Sequence, residues 1–123
     1  SFVLSGKAEE ALDIYKKAVQ KANNADRKKD AAYLTGRVGI TLAELGQLSE
    51  AVAYHETAVK LAQERNLPDL EGEQLLMLAI AYFEKNDNEK AQEYCQTAIQ
   101  LYVKTGLKED EQKARQLLAK IDA

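Results

Sequence analysis

The chain is poor in the residues that would tie it, break it or anchor it. It holds one cysteine, Cys95, in 123 residues. No internal disulfide framework can form, and a lone thiol suits a reducing compartment, here expected to be the cytoplasm. One proline, Pro68, and six glycines leave long stretches free to be helical. The single histidine, His55, has no Cys, Asp or Glu around it at metal-ligand spacing, so no metal site is expected. No apolar run approaches the roughly 20 residues that a helical membrane span needs. Basic residues are not in excess: 17 Lys and Arg against 20 Asp and Glu leave a net charge of −3. That balance argues against nucleic acid or an anionic membrane as partner, since both call for a basic patch. Phosphate loops, nucleophile elbows and zinc-protease motifs are absent. Gly36-Arg37-Val38-Gly39 lies inside a helical pattern and follows no strand, so it is not a phosphate loop. Neither a catalytic residue nor a cofactor is expected.

What is present is repetition. Gly6-Lys7-Ala8-Glu9-Glu10-Ala11 is echoed by Gly46-Gln47-Leu48-Ser49-Glu50-Ala51 and again by Asn86-Asp87-Asn88-Glu89-Lys90-Ala91, so positions 6, 46 and 86 fix an even period. A further alanine follows each echo at the same offset, at Ala18, Ala58 and Ala98. A fixed period in this range marks stacked units, each burying its apolar face only against its neighbours. Apolar residues recur at three- and four-residue steps, as in Leu34, Val38, Leu42, Leu45 and in Leu75, Leu78, Ala79, Tyr82. This predicts two helices per unit. A helices are expected over about 30–45 and 70–85, B helices over about 7–24, 47–64 and 87–104, and a last helix over about 109–121. Gly6, Gly46 and Asn86 would turn A into B, and Asp26, Asn66 and Gly106 would turn B into the next A, all being types that tolerate a left-handed backbone. Leu67 and Leu107 would close their caps, Pro68 would stop helix continuation, and Asp87 would cap the third B helix. Small residues mark the close approaches: Gly39, Ala79 and Ala119 on A helices, and the two alanine series on B helices.

The spacing resembles the tetratricopeptide repeat. Thr35, Val38-Gly39, Leu42, Gly46, Ala51, His55 and Ala58 carry the resemblance in one unit, and Leu75, Leu78-Ala79, Tyr82, Asn86, Ala91, Cys95 and Ala98 in the next. Phe2, Gly6, Ala11, Tyr15 and Ala18 supply an opening unit, and Leu118-Ala119 a closing helix. Three features depart from that family: Thr35 and Leu75 stand where it has Trp, its end-of-repeat proline is missing, and the period exceeds its usual roughly 34 residues. The long period is similar to that of repeats in kinesin light chains and spindle-orientation scaffolds, which bind peptide segments. The resemblance implies an all-α chain, an α-α superhelix of antiparallel helix pairs forming one array over 1–123. Its parts would be a truncated first repeat at 1–29, repeats at 30–69 and 70–108, and a capping helix at 109–123. Phe2 aligns with Leu42 and Tyr82, so the first A helix is expected as a stub of about one turn before Gly6. The first B helix would then expose Leu12, Ile14 and Tyr15 and could drive self-association.

The same resemblance implies a concave surface lined by A helices. Its inward positions would be Tyr33, Gly36, Arg37, Ile40, Ala43 and Glu44, then Glu73, Leu76, Met77, Ile80, Phe83 and Glu84, then Lys113, Gln116, Leu117 and Lys120. Most are apolar, which excludes the clamp of Asn, Lys and Arg that some members use to hold a terminal carboxylate. An Ile40–Leu76–Met77–Ile80–Phe83 stripe facing water would mark an interaction site for a protein or peptide partner. Alternatively the array is a spacer, self-association or sensor segment of a larger protein. His55 and Cys95 occupy the position of Tyr15 and are expected as packing residues between helices. Glu9-Glu10 and Glu109-Asp110-Glu111 fall in first turns, where acids complement the helix dipole.

Overall fold

The computed structural model describes the backbone of residues 2–123 and the side chains of residues 6–123. Among these the chain forms six helices: α1 Phe2–Asn24, α2 Lys28–Glu44, α3 Leu48–Arg65, α4 Pro68–Glu84, α5 Asn88–Thr105 and α6 Lys108–Asp122. From α2 onward the helices start at equal intervals, at positions 28, 48, 68, 88 and 108. Each period of the sequence is therefore two near-identical beats of helix and turn.

One turn geometry makes this beat. Asp26, Gly46, Asn66, Asn86 and Gly106 all have positive φ, between 55° and 79°. The next residue's N–H then bonds the carbonyl five positions back: Arg27 to Ala22, Gln47 to Leu42, Leu67 to Ala62, Asp87 to Tyr82 and Leu107 to Tyr102, at 2.7–3.0 Å. This is the Schellman closure of a helix C-terminus, and Gly, Asn and Asp reach the left-handed region at least cost. The residue that closes one helix also opens the next. Leu67 and Leu107 fill this post with apolar side chains, and neither helix that follows has a side-chain N-cap. Leu67 is buried, so its packing stands in place of the cap. Asp87 does cap, accepting a bond from the Lys90 N–H at 3.2 Å. Pro68 occupies the first position of α4, where its missing N–H costs nothing, so it starts a helix as well as barring the previous one.

Gly6 is the exception to the turn series. It lies within α1, which runs unbroken from Phe2 to Asn24, so the expected stub and turn are not formed. Glycine permits a left-handed turn but does not compel one. Among the described residues α1 packs chiefly on α2, and the segment follows the strong helix formers that come after Gly6: Lys7, Ala8, Glu9 and Glu10. The side chain of Phe2, assigned to the stub, lies outside the described residues.

Each helix packs on the next, and α2 also meets α4 directly, while α1 and α6 do not pack together. The result is an open stack of antiparallel helices and not a closed bundle. Small residues set the close approaches. Ala51, Ala58, Ala79, Ala91 and Ala98 are fully buried. A Cβ at Gly39 would come within 2.8 Å of His55 Cε1 and Nδ1, and one at Gly72 within 2.5 Å of Tyr102 Cζ and Oη. These two glycines are spaces into which B-helix rings fit. The alignment weakens only at the ends, where Ala11 and Ala18 are half-buried and Ala119 is exposed.

Candidate interaction face on the A helices

Helices α2, α4 and α6 each leave one stripe uncovered. On α4 it runs Glu73, Leu76 and Met77, Ile80, Phe83 and Glu84, the three- and four-residue steps of a single helix face. On α2 it runs Tyr33, Arg37, Ile40, Ala43 and Glu44, and on α6 Lys113, Gln116, Leu117 and Lys120. Arg37, Glu44, Glu73 and Lys120 are exposed, as is Phe83 at 37%. Tyr33, Ile40, Leu76, Met77, Ile80 and Leu117 are half-buried. Leu76 and Leu117 also rest against the α4–α5–α6 core, so part of each serves packing. The α2 and α4 stripes are joined where Tyr33 Oη donates to Asp69 Oδ2 at 2.8 Å. Burial, and then the Asp69 carboxylate, push the Tyr33 phenol above its ordinary pKa of 10.0.

Gly36, expected on this face, is buried instead. The Gln74 amide covers it so closely that a Cβ there would stand 2.8 Å from Nε2. Gln74 is fully buried, although nothing in the sequence pattern gives a reason to bury a polar residue there. Its partner is His55, 1% exposed, whose Nδ1 lies 2.5 Å from Gln74 Oε1. Gln74 Nε2 donates onward to Glu73 Oε1 at 3.2 Å, which carries the chain of bonds from the core to the open face. Gly36 and Gly39, one helical turn apart, were the available sign that something bulky crosses α2 there. Burial depresses the His55 pKa below 6.5, with Gln74 and Glu73 opposing more weakly. His55 is thus a hydrogen-bonded junction residue of α2, α3 and α4.

Cys95 is buried likewise, and its thiol donates to the Ala114 carbonyl at 3.1 Å. Burial, then the charge of Asp122, raise its pKa above 9.0, away from the reactive thiolate form. Among the described residues no three His, Cys, Asp or Glu side chains gather to hold a metal ion. No helix among them is long and apolar enough to cross a membrane.

The first B helix also departs from expectation. Ile14 is 63% exposed, but Leu12 and Tyr15 turn inward and pack with Val38, Leu42 and Ala51. They belong to the α1–α2 contact and not to the free edge. A cleft of about 750 Å³ lies between α1 and α2, lined by Ala18, Lys21, Ala22, Ala25, Arg27, Asp30, Tyr33 and Leu34.

No curated protein matches the chain. The family model described as tetratricopeptide repeat matches residues 75–105, which span most of α4, its turn and α5. The even beat of its helices makes the chain an all-α helical repeat solenoid, whose α4–α5 hairpin matches the tetratricopeptide repeat.

Proposed function

We propose that this chain is a non-enzymatic protein-interaction scaffold that holds a peptide or amphipathic helix of a partner against its A helices. Repeats of the matched type generally mediate contacts between proteins, which supports the class of function. The observation that carries the site is the pair of joined stripes on α2 and α4. Ile40, Met77, Ile80 and Phe83 stay reachable from solvent at positions where burial would have been expected had the chain folded onto itself. An apolar stripe recurring at three, four and seven positions receives a helix by helix-in-groove packing. The stripe from Tyr33 to Lys120 is proposed as the groove, in a long 40-residue version of the repeat working in the cytoplasm.

The test is selection of binding peptides from a helix-biased display library with the purified chain, followed by titration on variants. Ile80→Ser with Phe83→Ser should weaken every selected peptide severalfold while circular dichroism stays helical. Undiminished affinity in the folded double variant would remove the groove.

A second reading rests on the cleft at α1. Ala18 and Ala25 in the cleft and the exposed Ile14 elsewhere on α1 offer apolar surface, and such surface promotes association. On this reading copies of the chain associate through α1. Ile14→Lys should shift any oligomer toward monomer in sedimentation velocity without changing helicity.

A further inference from the structure

The most exposed large apolar side chain among the described residues is Ile14, at 63%. In repeat register it holds the place of Tyr54 and Tyr94, and both of those are half-buried. Tyr54 joins the cluster of Val38, Leu42 and Ala51, and Tyr94 stacks on Tyr82 with ring centroids 5.6 Å apart. A position that serves helix contact in α3 and α5 meets solvent in α1. Ala18, one turn further on, repeats the contrast: it is half-buried where Ala58 and Ala98 are fully buried. Ile14, Ala18, Lys21 and Ala25 follow at three- and four-residue steps and share one face of α1, with Glu10 one turn before Ile14.

The charges of α1 are sorted along its length. The first half carries Glu9, Glu10 and Asp13 against Lys7, and the second carries Lys16, Lys17 and Lys21. The cleft beside the second half adds Arg27 and Asp30. All of these side chains are exposed. A parallel copy of α1 would set acid on acid and lysine on lysine. An antiparallel copy sets acid on lysine, and a two-fold axis makes each such contact twice. The apolar face, the cleft and the order of charge are therefore complementary to the same surface on another copy.

We propose that two copies of the chain pair antiparallel along α1, about a two-fold axis between Ile14 and Ala18. This deepens the second reading above, association through α1, and rests on it. Ile14 of each copy lies against Ala18 at the near end of the other's cleft. Glu10 then falls beside Lys21 of the second copy, and Lys7 toward its Asp30. Lys17 comes near its own counterpart at the axis, but Asp13 of the same chain already holds it at 3.0 Å. Within one chain Glu10 and Lys21 stand roughly 16 Å apart along the helix axis, so they meet only between copies. One helix and one cleft wall from each copy make a small interface, which forms as concentration rises and dissociates on dilution. The isoleucines supply the apolar contact, and the charges choose the antiparallel orientation.

Sedimentation velocity on the full chain over a concentration series reads the association, and circular dichroism checks helicity. Glu10→Lys alone and Lys21→Glu alone should each weaken the dimer about tenfold, since each sets like charges together at both contacts. An equimolar mixture of the two variants should recover the dimer, because the mixed pair brings opposite charges together at both contacts. Added salt should narrow these differences. A dimer broken by Ile14→Lys but not recovered by mixing the charge variants would keep association through α1 and overturn the antiparallel seating. Charge variants that dimerise as well as the parent chain would overturn that seating too. A chain that stays monomeric throughout the series, or a dimer indifferent to Ile14→Lys, would overturn the α1 reading with it.

Discussion

The two ends of the stack treat their repeat registers in opposite ways: α6 departs from the A-helix register and α1 keeps the B-helix one. At the C-terminal end α6 repeats the A-helix register with polar residues. Gln112 takes the place that Gly72 and Ala32 hold in the two preceding A helices, Arg115 that of Leu75 and Thr35, and Asp122 that of Tyr82 and Leu42. These groups satisfy one another or their neighbours: Arg115 bonds Glu111 at 2.9 Å and Asp122 accepts from Gln92 at 2.6 Å. At the N-terminal end α1 keeps the apolar register, with Ala11 and Ala18 where Ala51, Ala58, Ala91 and Ala98 are fully buried, yet here only half-buried. The A register thus turns polar at α6, while the B register stays apolar at α1 but is only half covered there. Hydrophobicity at a repeat position identifies the face. It does not say whether the face is covered.

The sharpest break of this comparison is a volume test at equivalent sites. Ala58→Leu should cost about 1–3 kcal/mol by overpacking the α2–α3 contact, whereas Ala18→Leu at the open edge should fall within about 0.5 kcal/mol, the range of surface changes. Urea midpoints read both, and equal losses would mean that α1 is as enclosed as α3.

Next in size is the pH dependence of the α2–α3–α4 junction. The folded His55 pKa lies below 6.5, so the unfolded chain takes up the proton first. The stability this group contributes is full above about pH 6.5 and declines as pH falls from there toward the lowered folded value. The titratable group acting on it from a packed helix is Glu73 on α4, whose charge opposes the shift; the α2 side presents Gly39. His55→Gln should flatten this part of the stability profile, and an unchanged slope would place the responsible group elsewhere. His55→Phe, harmless if the residue were mere packing, should cost about 1–3 kcal/mol because it strands the Gln74 carbonyl.

The smallest effect concerns the end of α2, which closes on Glu44 with no basic residue in its last turn. Glu44→Lys should stabilise the chain slightly, by about 0.3 kcal/mol, by meeting the dipole correctly. A clear destabilisation in thermal melts would reveal an internal role for this carboxylate.

The helices, their turns and the all-α stack were legible because they depend on local chemistry repeated along the chain. Asp26, Gly46, Asn66, Asn86 and Gly106 are legible one at a time as left-handed-tolerant residues, and all five adopt that backbone. Gly6 has the same chemistry but stands before a run of helix formers that α1 follows, and it misleads. The α4 stripe could be placed on one helix face by periodicity, since three- and four-residue steps decide it. Gly36 could not, because its fate depends on Gln74 in the following unit and on a histidine from a third helix. Leu12 and Tyr15 failed similarly: Val38, Leu42 and Ala51 cover them, a contact that the local pattern of α1 does not reveal.

Because each helix touches chiefly the helices before and after it, the stack has no single keystone. Cohesion passes from hairpin to hairpin, as in a row of linked units. Opening should begin at either end and travel inward, so backbone amides of α3 and α4 should exchange with deuterium most slowly and those of α1 and α6 fastest. Of the stripes that form the proposed groove, those on α2 and α4 lie away from the fast ends. They would remain assembled while the ends come and go, so a partner could be kept through partial melting that no ensemble-averaged melting curve would resolve.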